Sequence, residues 1–379
     1  MSGGCAACTY DLINAMHKHT DMNVDLLTVG NRKSDDKLKG NNEEWITALK
    51  NDCVSPYAYS KNMTSFLNDS DYDIYHTNGL WMHANHATCA VARKKHKPYI
   101  ISTHGMLYPE ALHQSYWKKL PFIIIHFKKD IMQADCIQVT CQKEMETVRQ
   151  FGYKGPVAVI PNAVPLNELT DRLYKDKQSS VLSNGKQRTF GFLGFLYPKK
   201  KVENLLYALH SLGDNIEDSR LLIIGTGDIR YEHFLHMEAK RLRLKNTYVD
   251  FMGFVSEEKK YQTLASLSCL FVPSNIENFG VIVAEALAVG TPVMASLGTP
   301  WEELNTRNCG WWTDREPETI AKVMRTVIAM PADKLLQMGK NGRQLVEEKY
   351  AGKVVAQQTK QLYNWIAGSE PNKPAFVYG

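Results

Sequence analysis

Residues 274–289, SNIENFGVIVAEALAV, constrain the fold more than any other stretch of the chain. From Gly280 to Val289 every residue except Glu285 is apolar or glycine, and a helix apolar on all sides is a buried one. A lone carboxylate is costly there, so Glu285 must be neutral or meet strong donors, supplied by a buried Lys or Arg or by ligand hydroxyls. A helix beginning near Gly280 would also offer its free amides to an anion. Glu277 then stands just before that helix and Glu285 on its second turn, so one ligand can reach both carboxylates and the amides. Equally, Glu277 is a loop charge and Glu285 half of an ion pair. Taken alone, this stretch leaves both readings open.

The longer run ENFGVIVAEALAVGTPV (277–293) resembles the E-x7-E signature of the retaining glycosyltransferases of family 4, which have the GT-B fold. The motifs of that family recur in order along almost the whole chain. The resemblance implies an α/β protein of two Rossmann-like domains facing across a cleft, with a C-terminal helix crossing back to the first. The expected boundaries are 1–166 for the N-terminal acceptor-side domain and 167–188 for a polar linker. The nucleotide-sugar domain follows at 189–352, with the returning helix and tail at 353–379.

Bulk composition agrees with such a chain. It has 379 residues, 44% apolar and 22% charged, enough for two domains with their own cores. A net charge of +5 is mild, and no nucleic-acid-binding pattern accompanies it. Eight scattered cysteines form no framework and suit a reducing compartment. Cys5-Ala-Ala-Cys8 has no second pair, so it reads as small side chains on a helix face rather than a metal or redox site. With no run of about 18 apolar residues, the sequence predicts a cytoplasmic protein.

Gly3 and Gly4 lead into a helical pattern that ends near His19 and is followed by an apolar run at 24–29. Such glycines let a backbone approach a ligand closely. Strand-like runs at 73–77 and 98–103, with a helical segment between, indicate a parallel sheet. Ligands of such sheets sit at the carboxyl ends of the strands. That rim carries His76, Asn78 and Trp81, and then His104-Gly105-Met106. By resemblance His104 contacts the transferred sugar, while Gly3, Gly4, His76, Asn78, Trp81 and Asn162 face the acceptor side. His76, His83 and His86 lack carboxylate companions, which favours acceptor contact or packing over a metal. Residues 93–129 hold eight Lys or Arg against Glu110 alone and enclose LPFIIIHF at 120–127. This reads either as a segment that enters an anionic membrane surface or as a core helix with solvated ends.

Pro161-Asn162-Ala-Val-Pro165 resembles the junction element of the family, with Ala163 in place of its glycine. The second half opens on a strand ending at Gly194, then Phe195-Leu-Tyr-Pro-Lys-Lys200-Lys201. Strand, glycine turn and basic helix start make a phosphate cradle. The family reads G-R-L-x-x-x-K-G here. Gly194, Leu196 and Lys200 match, whereas Phe195 replaces the arginine and Lys201 the second glycine, so Lys199 or Lys201 is a candidate compensating cation. Gly225-Thr-Gly follows a buried strand, and the loop at Phe254 resembles the one whose backbone reads the nucleotide base.

The resemblance therefore implies a hexosyltransferase that moves a sugar from a nucleotide-sugar donor to a glycan or lipid-linked acceptor of surface polysaccharide or lipopolysaccharide synthesis. The donor contacts fall to Gly194, Lys200, Gly225, Phe254, Asn278, Phe279, Gly280, Val281 and Glu285, with His104, Glu277 and Lys200 at the reacting centre. Glu285 is expected to be satisfied only by the donor ribose. No metal or other cofactor is required, and contact with an anionic membrane would be peripheral. The alternatives are a GT-B sugar-nucleotide epimerase and a non-catalytic donor-binding relative. The family also places a buried strand before the Gly-rich loop, where this sequence has only Met1 and Ser2. The expectation is a truncated start and a gap, or exposed edges, between the strands at 24–29 and 73–77.

Overall fold

The structure is a computed structural model that describes residues 4–30, 43–53, 57–113, 127–179, 188–213, 219–244 and 248–379. The chain divides into two compact units, one of residues 1–163 and 352–379, the other of residues 164–351. Both are α/β and built on parallel sheets.

In the first unit β3 (Tyr75–Asn78), β4 (Tyr99–Ser102), β5 (Cys136–Val139) and β6 (Val157–Val159) pair in parallel. The final strand, β13 (Val377–Tyr378), adds antiparallel to β6. Side chains of β4 and β5 alternate between two cores, as the period of two requires. Tyr99, Ile101, Ile137 and Val139 go to one, Ile100 and Cys136 to the other. The second core is closed by Val355 and Leu362 from the C-terminal helix Gly352–Ile366, which also packs on the first helix, Gly4–His19. The C-terminal helix thus belongs to the first unit.

β1 (Leu26–Gly30) pairs only with β2 (Ile46–Lys50), in a separate two-stranded sheet. Among the described residues no strand pairs with the other edge of β1 or with the outer edge of β3. The anticipated gap is present. A cavity of about 1700 Å³ there is lined by Leu27 and Val29 of β1, Tyr75 and Thr77 of β3, and Met16 and Met63 from flanking helices.

The second unit has one unbroken six-stranded sheet in the order β12 (Gly310–Thr313), β11 (Val293–Ser296), β10 (Cys269–Val272), β7 (Arg188–Leu193), β8 (Ser219–Ile224), β9 (Val249–Gly253). Every neighbouring pair is parallel. Leu221 and Ile223 of β8 enter one core and Leu222 and Ile224 the other, so helices cover both faces.

Of residues 167–188, read from their polarity as a linker, 167–179 are not one, and 180–187 lie outside the described residues. The helix Glu168–Ser179 packs on the second unit. Its Lys177 sends Nζ to Ala265 O (2.9 Å), Leu267 O (2.6 Å) and Thr291 Oγ1 (2.6 Å). Three oxygens saturate an ammonium, although burial pushes its pKa down to about 7. Polarity misled because much of the helix's anchoring is polar, through Lys177 and the Asp171–Arg343 pair at 2.6 Å, while Leu169 and Leu173 reach the core.

Candidate active site

In the second unit the turns after β7, β8 and β10 lie at one rim. The helix Val281–Ala288 begins right after Gly280, whose φ of 72° reverses the chain there. Glu277 and Lys200, predicted separately, meet: Lys200 Nζ donates to Glu277 Oε1, which also accepts from Ser274 Oγ at 2.7 Å. Their side chains are 18% and 15% exposed, so the pair is mostly withdrawn from water but still reachable by ligand. The backbone braces it through Asn275 N to Lys199 O (2.7 Å) and Glu277 N to Gly298 O (3.0 Å).

Glu285 is 8% exposed and lies on the buried face of the helix. The expectation that only a ribose would satisfy it is corrected, because Lys260 Nζ donates to its Oε1 at 2.7 Å and Tyr261 OH stands 3.5 Å from the same oxygen. The buried-cation alternative is realised. The helix Glu257–Ser266 projects Lys260 toward Glu285, so the carboxylate already has its cation in the ligand-free protein.

Other positions differ in kind. Phe279 is a core anchor, 5% exposed, its ring 5.2 Å from Trp301 and 5.6 Å from Tyr350. Its carbonyl accepts from Trp301 Nε1 at 2.5 Å, so only its backbone amide is left for a ligand. Gly225, with φ of 130°, is needed by a contact between turns, since a Cβ there would fall 2.0 Å from Gly194 O. Leu196 and Gly227 bridge the same two turns. Phe195 and Phe254 stand at this rim 61% and 82% exposed. Lys201 adopts φ 53°, ψ 39°, the left-handed backbone for which the family supplies glycine. Its Nζ lies 3.4 Å from Glu203 Oε1. Asn278 stands two residues before Gly280 and Val281 directly after it, at the helix start.

In the first unit, His104 and Gly105 follow β4 with φ of 47° and 73°. His104 Nε2 lies 3.0 Å from Asn78 Oδ1, which unites two predicted rim residues. Burial lowers the His104 pKa, with the Glu144 charge opposing. His76 is not available to an acceptor: its nitrogens lie 2.6 Å from Tyr363 OH and 2.8 Å from Ser102 Oγ, and burial lowers its pKa to about 3. Trp81, beside the first core, packs on Phe127 with ring centroids 5.3 Å apart. Gly4 opens the first helix with nothing within 4 Å of where a Cβ would stand, while Gly3 lies outside the described residues. Asn162 follows β6 and is half-buried.

The basic region is less free than its composition suggests. Arg93 pairs with Asp130 at 2.7 Å, Lys97 with Asp71 and Asp73 at 3.7 and 3.5 Å, and Phe127 is 1% exposed. Residues 114–126, with most of the apolar run, lie outside the described residues. Among the described residues no helix is long and apolar enough to cross a membrane. Sequence reasoning missed Lys260, Trp301 and Glu144. The signal for Lys260 was its place on the helix after Ser256, and for Trp301 its place just beyond the strand after the motif.

Residues 2–168 match the family described as Glycosyltransferase Family 4, and residues 174–345 match Glycosyl transferases group 1. The chain belongs to the family 4 glycosyltransferases. Its fold is GT-B. Over 139 residues it is 34% identical to the GDP-mannose-dependent alpha-(1-6)-phosphatidylinositol dimannoside mannosyltransferase of Mycobacterium tuberculosis, covering 36% of this chain and 35% of that protein. Over 252 residues it is 28% identical to the human alpha-1,3/1,6-mannosyltransferase ALG2, covering 62% and 58%. The chain thus spans between about a third and three fifths of these relatives' lengths. HepE of Anabaena, solved with UDP-glucose, superposes with a TM-score of 0.73 at 18% identity over 96% of this chain and 97% of that one.

Proposed function

We propose that this chain is a retaining hexosyltransferase that takes a sugar from a nucleotide-sugar donor and delivers it to a glycan or lipid-linked acceptor. The observation that carries the reading is the meeting of Lys200 and Glu277 at the start of the Val281–Ala288 helix, with the Lys260-paired Glu285 on its second turn. Lys200 and the free amides at the helix start would stabilise the diphosphate as negative charge grows on the leaving group. Glu277 would accept from sugar hydroxyls, and Glu285 from the ribose through the oxygen that Lys260 does not hold. Retention through a covalent intermediate needs a carboxylate on the face opposite the leaving group. The reading is instead a one-face reaction in which the leaving diphosphate helps deprotonate the acceptor, with His104 against the sugar. It invokes no metal.

The mannosyltransferase relatives make GDP-mannose the first donor to try, and the acceptor in the name of the mycobacterial relative favours a lipid-linked glycan. A cytoplasmic, membrane-peripheral enzyme of surface glycan synthesis is the setting that goes with such an acceptor. Thermal-shift screening of nucleotide sugars tests donor binding, since ligand at 100 times its Kd stabilises by about 2.7 kcal/mol. The true donor should shift the wild type but not Glu285→Ala. Acceptor-dependent release of nucleotide then establishes transfer. Conversion of the donor to an epimeric nucleotide-sugar without acceptor and without net nucleotide release would favour an epimerase, and binding without turnover a non-catalytic relative, for which exposed Phe195 in the arginine position is the supporting feature.

A further inference from the structure

We infer that Glu144 is the positioning residue that builds the His104 turn, an inference that rests on the transferase reading only where it concerns rate. Glu144 occupies the first turn of the helix Gln142–Gln150 and is 1% exposed. A buried glutamate at that place could be explained as a helix cap, which one oxygen suffices to make. That is what Oε2 does, accepting from Thr140 N at 2.8 Å and Thr140 Oγ1 at 3.0 Å. The other oxygen turns to a different strand end. Oε1 accepts from Thr103 Oγ1 at 2.7 Å and from the Gly105 backbone amide.

One carboxylate therefore ties the carboxyl ends of β4 and β5 together, and it grips His104 on both sides, at residues 103 and 105. The turn needs such a hold. His104 has φ of 47°, and a non-glycine residue in the left-handed region persists only where its surroundings over-determine it. A second hold comes from the side. Asn78, which faces His104 Nε2 at 3.0 Å, has its carbonyl bound by Asn85 Nδ2 at 3.1 Å, and Asn85 Nδ2 also donates to Thr77 Oγ1 at 2.7 Å. Glu144 fixes the backbone of the turn while Asn78 fixes its ring. Each oxygen of Glu144 meets one backbone N–H, which can only donate, and one threonine hydroxyl, so the amide nitrogen of a glutamine would have to face an N–H on one side or the other.

The test is Glu144→Gln, read in two ways. Without any substrate, exchange of the Gly105 amide should speed up at least about 10-fold and the ring resonances of His104 should move, while circular dichroism stays that of the wild type. In transfer assays kcat should fall roughly 10- to 100-fold, the scale of a misplaced reacting group, with donor Kd within about twofold of wild type. In a His104→Ala background the same substitution should cost nothing further. A Gly105 amide as protected as before, or an equal loss of kcat in the His104→Ala background, overturns the inference. Should Glu144→Gln fail to fold, Thr103→Val removes a donor from Oε1 alone and Thr140→Val from Oε2 alone. The former should reproduce the His104 changes and the latter should not; the reverse overturns the inference. If the wild type transfers no sugar at all, the functional reading fails, and the exchange and ring signals still decide the role of Glu144.

Discussion

The two units use the same parallel-sheet architecture and hold it together differently. The second closes six strands into one sheet with a core on each face. The first stops at β3 and resumes as a detached pair, β1 and β2, with a cavity of about 1700 Å³ lined by both parts. The Lys200–Glu277 pair and Glu285 sit on the closed sheet's unit. The His104 turn stands on the broken one, where a buried carboxylate and an asparagine pair brace it and Tyr363 of the C-terminal helix holds His76 beside it.

The largest contrast should appear in hydrogen exchange. Amides of β10 and β7, buried mid-sheet, should open only with the second unit as a whole, whereas amides of β1 and β3 that face the cavity should exchange by local opening. The difference in opening free energy should be about 5 kcal/mol or more. Equal protection at Val29 and Phe271 would mean that the edges are covered, and would break the comparison.

Next in size is Lys200→Ala. Lys200 is the cation paired to Glu277 in the motif. Its loss should cost roughly 2 to 4 kcal/mol of transition-state stabilisation, read as a fall in kcat of about 30-fold or more. A fully active Lys200→Ala enzyme would move the phosphate role elsewhere.

Acid should separate the units by a smaller margin. Burial lowers the His76 pKa from 6.5 to about 3, so the folded first unit holds this ring neutral between Tyr363 and Ser102. The unfolded chain takes up a proton below about pH 6.5 and the folded one does not. Stability from this group is therefore full above about pH 6.5 and is lost as pH falls toward 3, by about 2 kcal/mol at pH 5. His83 and His104 are shifted in the same direction and add to the loss. In the second unit Lys177, lowered from 10.5 to about 7, makes stability rise with pH between those values and leaves it flat below. Calorimetry from about pH 7 to 5 should show the first unit's transition moving down ahead of the second's, and His76→Asn should flatten the slope.

What could be read in advance follows from how local the signal was. The E-x7-E motif located Glu277, Gly280 and Glu285 because glycine, helix start and apolar run are consecutive in sequence. The gap between β1 and β3 was legible because a doubly wound sheet leaves an ordered place for each strand. The partners of those residues were not legible. Lys260 lies 25 residues before Glu285, Tyr363 lies 287 residues beyond His76, and Glu144 lies 41 residues beyond Thr103. Only folding brings each pair together. Polarity misassigned the helix Glu168–Ser179 because Lys177 and Asp171, two of the groups that anchor it, are charged residues whose partners lie far along the chain.

The smallest effect sharpens the account of the phosphate cradle. The family has arginine at the position of Phe195 and glycine at that of Lys201, and the sequence left open whether Lys201 replaces the lost cation. Its backbone argues that it does not. Lys201 stands in the left-handed region, where a non-glycine residue costs about 1 to 2 kcal/mol, and its Nζ lies 3.4 Å from Glu203 Oε1. Lys201→Gly removes that strain but loosens the unfolded chain by about 0.5 to 1 kcal/mol and gives up an ion pair worth at most about 1 kcal/mol at a site one-third exposed on the lysine side. The three terms nearly cancel. Stability should change by less than about 1 kcal/mol, and kcat should stay within about twofold of wild type. A loss of rate comparable to that of Lys200→Ala would show that the strained lysine is held in place for the diphosphate after all, and that the cradle has two cations rather than one.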